Sequence, residues 1–136
     1  MMRTWMKAAG LGLALLGTSA IAQEAGQRQC NRAEIAQLET EARELAVAAG
    51  CTDVSQCRAA PVGAQACGGP RDYVVYCSET TDENALLRAL KRLEQREERF
   101  NRQCDVVSIC IFIAEPQLEL VEGVCQAAAP PTDTLP

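Results

Sequence analysis

Eight cysteines constrain this chain more than any other feature. Cys30, Cys51, Cys57, Cys67, Cys77, Cys104, Cys110 and Cys125 all follow an N-terminal stretch that reads as an export signal. An even cysteine count in an exported chain predicts a disulfide framework. The framework matters because the rest of the chain offers little core. Beyond the signal its aromatic residues are Tyr73, Tyr76, Phe100 and Phe112. A short domain built on Ala, Val, Leu and Ile buries modest apolar area. Disulfides contributing ~2–4 kcal/mol each would then supply a large share of a marginal stability.

The export reading rests on three consecutive features. Arg3 and Lys7 form a positive start, residues 8–17 (AAGLGLALLG) are apolar, and Ala20-Ile21-Ala22 places small residues at −3 and −1 of a cleavage site. These predict a signal peptide at 1–22, cut before Gln23. The apolar run is shorter than the roughly 20 residues that cross a bilayer. A glutamine after the cut, where a lipoprotein carries cysteine, also points away from a lipid anchor. The expected product is periplasmic or secreted, with no membrane anchor after cleavage. Loss of Arg3 and Lys7 from the 13 basic residues leaves 11 against 18 acidic ones, a net charge of −7. Such a domain carries no electrostatic footprint for nucleic acid or anionic lipid.

Residues 23–29 (QEAGQRQ) read as a flexible N-terminus, 30–126 as a single disulfide-rich domain and 127–136 (AAAPPTDTLP) as a disordered tail. Within the domain, residues 31–49 predict a helix. Asn31 and Glu34 form a capping box, Ile35, Leu38, Ala42, Leu45 and Ala49 form one stripe, and Gly50 is the stop. Thr80 and Glu83 cap a second helix running to about Gln103, with Leu86, Leu90, Leu93 and Phe100 on its buried face. Pro61, Gly63 and Gly68-Gly69-Pro70 exclude a long helix between the two. Strands are expected at 57–60, 73–77 and 108–113 (SICIFI). A hairpin is expected at 118–121 and 124–126 around Glu122-Gly123.

The cysteine spacings discriminate among chemistries. The chain has no C-x2-C, no C-x4-C and no histidine, which argues against a structural zinc site. The absent C-x-x-C argues against a thioredoxin-like catalyst. No metal or other cofactor is expected. Eight cysteines admit on the order of a hundred pairings, and the helices rank them. Cys30 and Cys51 flank the first helix; Cys77 and Cys104 flank the second. Antiparallel packing of two helices, each roughly 30 Å long, brings Cys30 to Cys104 and Cys51 to Cys77. The other four then tie the β-segments, for example as Cys57–Cys125 and Cys67–Cys110. The fold class expected is α+β: two antiparallel helices packed on a small antiparallel sheet, stapled by disulfides.

From about Gly50 to Cys125 the chain resembles a loose group of uncharacterised bacterial exported proteins. The resemblance lies in a cysteine pair like Cys51 and Cys57, a C-G-G-P-x-x-Y block at 67–73, an S-x-C at Ser108–Cys110 and a closing G-x-C at Gly123–Cys125. The chain departs from the group at Leu120, where a cysteine would stand, and at Cys77, where serine is usual. The resemblance implies export and brings no activity with it.

Function is left to surfaces. The C-G-G-P-R-D-Y segment is a disulfide-pinned turn that could present Arg71, Asp72 and Tyr73 as a recognition loop, and rigidity lowers the entropy cost of binding. The expected role is a non-catalytic binding or envelope-associated protein with a protein or envelope component as partner. A protease inhibitor offering Arg71 or Arg58 is the first alternative. A small hydrolase using carboxylates is the second, since without histidine no Ser-His-Asp or Cys-His arrangement exists. The acidic residues lie mostly on solvated helix faces, so a non-enzyme is expected.

Overall fold

The computed structural model describes residues 30–129. The expected signal peptide at 1–22, the lead-in at 23–29 and the tail from 130 onward lie outside the described residues. The fold is α+β, with two helices and two small antiparallel sheets.

Helix α1 spans Ala33–Leu45 and buries Ile35 and Ala42. Its N-cap is Arg32, which makes no side-chain cap bond; Asn31 before it accepts the Ala33 N–H at 2.8 Å, and Glu34 of the expected capping box pairs with Arg96 instead. The helix ends well before Gly50, where the stop was expected, because tertiary bonds claim the backbone beyond it. Val47 O accepts the Cys77 N–H, Ala48 O accepts the Cys125 N–H, and Gly50 N–H reaches Gly123 O, at 2.8–2.9 Å. Residues 46–50 are thereby drawn out and bridge the C-terminal hairpin at Val124.

Helix α2 spans Glu83–Gln103 and is capped by Asp82, whose carboxylate accepts the Ala85 N–H. Thr80, the expected cap, instead donates its hydroxyl to Ala49 O at 2.7 Å. The helix buries Leu86, Ala89, Leu90, Leu93, Glu97 and Phe100. Glu34 pairs with Arg96, and Glu41 lies 4.0 Å from Arg92. Residue numbers therefore rise along one helix as they fall along the other, and the two run antiparallel. Arg32 covers the Phe100 ring at 5.0 Å.

Strand β1 (Cys57–Val62) pairs antiparallel with β2 (Asp72–Cys77), in a register running from Cys57 opposite Cys77 to Val62 opposite Asp72. Pro61, which has no N–H to give, is tolerated because each strand of a two-stranded sheet is an edge. A short 3-10 turn at Val54–Gln56, capped by Asp53, leads into β1. Strands β3 (Leu118–Val121) and β4 (Val124–Ala127) form the second hairpin. Its two-residue turn holds Glu122 and Gly123 both at positive φ, 51° and 78°, the geometry whose twist suits a hairpin. β4 takes in Ala127, and Ala128 N–H donates to Gln117 O at 2.8 Å. The expected tail thus begins later than 127.

Residues 108–113 form no strand, contrary to expectation. β-propensity describes fitness for a half-buried pleated surface. No strand among the described residues pairs with this run. Helix α1, helix α2 and the β1–β2 hairpin share the main core of Ile35, Ala42, Ala60, Val62, Tyr76, Leu86, Ala89, Leu90, Leu93 and Phe100. A second cluster gathers Cys51, Cys57, Cys77 and Cys125, with Val75, Leu118 and Leu120 around it.

Candidate functional site

Three disulfides cross-link the chain: Cys30–Cys104, Cys51–Cys77 and Cys57–Cys125, with Cα separations of 5.5–5.6 Å. The first joins the start of α1 to the end of α2. The second ties the segment after α1 to β2, and the third fastens the C-terminal hairpin to β1. Sulfurs of Cys51, Cys57 and Cys125 lie within 4.8 Å of one another. All three are in disulfides, so none has a thiolate to lend a metal. The expected Cys67–Cys110 bond is not formed: both are exposed free thiols. Cys67 sits on the 63–71 loop and Cys110 in the unpaired run, so no rigid element holds either sulfur in bonding geometry.

Arg71 and the half-exposed Asp72 are both held in ion pairs rather than presented as free side chains. Arg71 donates Nε–H to Glu97 Oε1 at 2.8 Å and pairs through Nη2 with Glu39 Oε2. Asp72 begins β2 and accepts from Arg43 Nη2 at 2.6 Å, while Arg43 Nε also binds Glu39 at 2.8 Å. Tyr73 is half-buried, opposite Pro61 in the β-ladder. Burial alone would raise the Glu39 carboxyl, but hydrogen bonds from Arg71 and Arg43 outweigh it and hold the group below its ordinary pKa. At Asp72, burial is likewise outweighed by the Arg43 hydrogen bond and the Tyr73 N–H. This network is an internal clamp joining α1, α2 and the loop. Its centre, Glu97, was not foreseen from sequence. The signal was available, since Glu97 falls on the stripe Leu86, Leu90, Leu93, Phe100. A glutamate on an apolar stripe is either exposed by a twist or answered by a buried cation. Here it is 4% exposed and answered by Arg71 and the Ala64 N–H.

Gly63 makes the clamp possible. Its φ of +66° suits glycine, and a Cβ there would run into the Glu97 carboxylate and lie 2.7 Å from Arg71 Nε.

The solvent-facing feature lies beside the clamp. A groove of about 880 Å³ runs between the 61–70 loop and α2, lined by Pro61, Pro70, Leu87, Leu90, Val106 and Val107 among others. At its end the chain leaves α2 and passes through the run V-S-I-C-I-F-I. Val107, Ile109, Ile111 and Phe112 there are 95%, 78%, 53% and 89% exposed. One side-chain bond ties this run to the loop: Gln65 Nε2 donates to Ile111 O at 2.9 Å and also to Pro70 O at 2.7 Å. Lys91, Glu94, Glu98 and Arg102 rim the groove with charge of both signs. Lys91 and Glu94 pair at 2.6 Å. The groove is therefore an apolar trough with a self-compensated rim rather than a convergent acid–base site.

No protein-family model, curated protein or solved structure matches the chain.

Proposed function

We propose that this chain is an exported, non-catalytic binding protein of the periplasm or extracellular space that takes up an extended apolar segment of a partner protein along residues 106–113 and the adjoining groove. One observation carries the reading: four large apolar side chains stand in solvent on a single unpaired, β-prone run. Exposed apolar residues scattered singly are ordinary, but a contiguous set marks an interaction surface. Strand-forming residues outside any sheet can add to a partner's strand, here in exchange for the Ile111 N–H to Ile109 O and Gln65 to Ile111 O bonds. The signal-like residues 1–22 and the disulfides support export. Among the described residues no helix is long and apolar enough to cross a membrane.

The inhibitor reading is less well supported. Arg71 would have to leave two carboxylates to enter a protease pocket. Arg58 folds its guanidinium back onto Ser55 O and Cys57 O.

A photo-cross-linking residue at Phe112, compared with one at exposed Val54 on the 3-10 turn, tests the proposal in the exporting cell. An adduct of one defined mass from position 112, absent from 54 and lost with Ile109→Asp, is expected. No adduct at 112, or equal adducts at both positions, overturns the reading.

A further inference from the structure

Two thiols outside the disulfide framework meet where the exposed run touches the 63–71 loop. Gln65 N–H donates to Gly69 O at 2.9 Å and Gly68 N–H to Gln65 O at 3.0 Å, folding the loop into a tight turn with Cys67 on it. The Gln65 side chain then holds the carbonyl of Ile111, next to Cys110. Cys67 and Cys110 are both free and exposed, and the Gln65–Ile111 bond holds together the two segments that carry them. Gly68 and Gly69 leave open space, since a Cβ on either would meet nothing within 4 Å. An incoming reagent can therefore reach Cys67.

We propose that Cys67 and Cys110 form a thiol–disulfide exchange site whose substrate is a low-molecular-weight disulfide and whose product is a labile fourth bridge tying residues 106–113 to the 63–71 loop. The thiolate of Cys67 attacks one sulfur of the incoming disulfide. That S–S bond breaks, and one thiol leaves with a proton from solvent. Cys110 then loses its proton and attacks the mixed disulfide at the Cys67 sulfur, releasing the second thiol. Two electrons and two protons pass from the cysteine pair to the reagent, which ends as two thiols. The neighbouring Cys67 thiol raises the Cys110 thiol above its ordinary pKa, and Cys110 is assigned as the resolving sulfur because Cys67 lies on the turn that Gly68 and Gly69 leave open. The other bridges are placed differently. Cys51, Cys57, Cys77 and Cys125 are buried, and Cys30–Cys104, although exposed at Cys30, is held by the ends of two packed helices. Exposed disulfides held by few contacts are the reducible ones. The site does not rest on the docking proposal.

The mature full-length chain, equilibrated in glutathione buffers, alkylated and peptide-mapped, tests this. The Cys67–Cys110 bridge should form with oxidised glutathione. It should open at a reduced-to-oxidised ratio at least about tenfold lower than any of the other three. Cys110→Ser should trap one glutathione on Cys67 while the other three bridges stay intact. The proposal is overturned if Cys67–Cys110 never forms, if it opens only together with the buried bridges, or if the Cys110→Ser protein, with its three bridges present, takes up no glutathione.

Discussion

Glu97 Oε1 accepts the Arg71 Nε–H at 2.8 Å while Oε2 accepts the Ala64 N–H at 2.6 Å. One buried carboxylate thus satisfies a cation and a backbone donor from the same loop. Glu97→Ala would strand the Ala64 N–H and leave Arg71 with Glu39 alone. Breaking a buried pair costs ~3–5 kcal/mol, and Arg71 keeps some solvent, so a loss near the lower end, about 3 kcal/mol, is expected. Glu97→Gln retains an acceptor and should lose about half as much. Urea unfolding with the disulfides intact measures both, and equal stability of the two variants would contradict the acceptor argument.

Gly63→Ala tests the same clamp from the opposite side. A non-glycine residue at φ +66° is strained by about 1–2 kcal/mol before any contact is considered. The added methyl also presses on the Glu97 carboxylate. The substitution should destabilise by more than about 2 kcal/mol. Combined with Glu97→Ala it should do so less than additively, because the two share one contact.

How much of this was readable beforehand varies by element. Cysteines flanking helices are legible because a helix is rigid: once α1 and α2 pack antiparallel, Cys30 has Cys104 as neighbour. The β3–β4 turn was equally legible, since Glu122-Gly123 satisfies a local backbone demand. Residues 46–50 were not. Their helical pattern was overridden by bonds to Cys77, Cys125 and Gly123, which no local window contains. The run at 108–113 failed for the complementary reason: β-propensity is realised only against a partner strand, and this run pairs with none. Arg71 was read as a presented side chain because its partners, Glu39 and Glu97, lie far away in sequence. Only the misplaced polarity of Glu97 hinted at them.

Acid should loosen the clamp. Glu39 and Asp72 are held below their ordinary values of 4.5 and 3.8. The folded state therefore binds fewer protons than the unfolded chain. Their contribution is complete above about pH 4.5 and is lost as pH falls through the depressed folded values. Thermal midpoints should drop below pH 4.5, and Arg43→Met, which removes a partner of both carboxylates, should flatten that drop. A midpoint independent of pH between 5 and 2 would remove these two groups as the cause.

Alkali should reveal Tyr76. Burial and its hydrogen bond to Glu83, 2.6 Å from the phenol oxygen, raise its pKa from 10.0 to about 12. A raised folded value favours the fold below pH 10, and that contribution is lost as pH rises through 12. Phenolate absorbance should show a late component near pH 12 that disappears in Tyr76→Phe. The same variant loses a charge-assisted hydrogen bond and about 1–2 kcal/mol at neutral pH.

The exposed run supplies a test that separates function from stability. Ile109 and Phe112 bury little, so replacing both with Ser should move unfolding free energy by less than about 0.5 kcal/mol. A Leu93→Ala core variant, from a residue with no exposed surface, should lose ~2–5 kcal/mol. If residues 106–113 hold a partner, the Ser pair abolishes association while leaving the unfolding midpoint unchanged. Leu93→Ala lowers the midpoint yet retains association wherever the protein is still folded. Parallel loss of midpoint and association in the Ser pair would mean that the run is structural, and the binding surface would have to be sought elsewhere on the molecule.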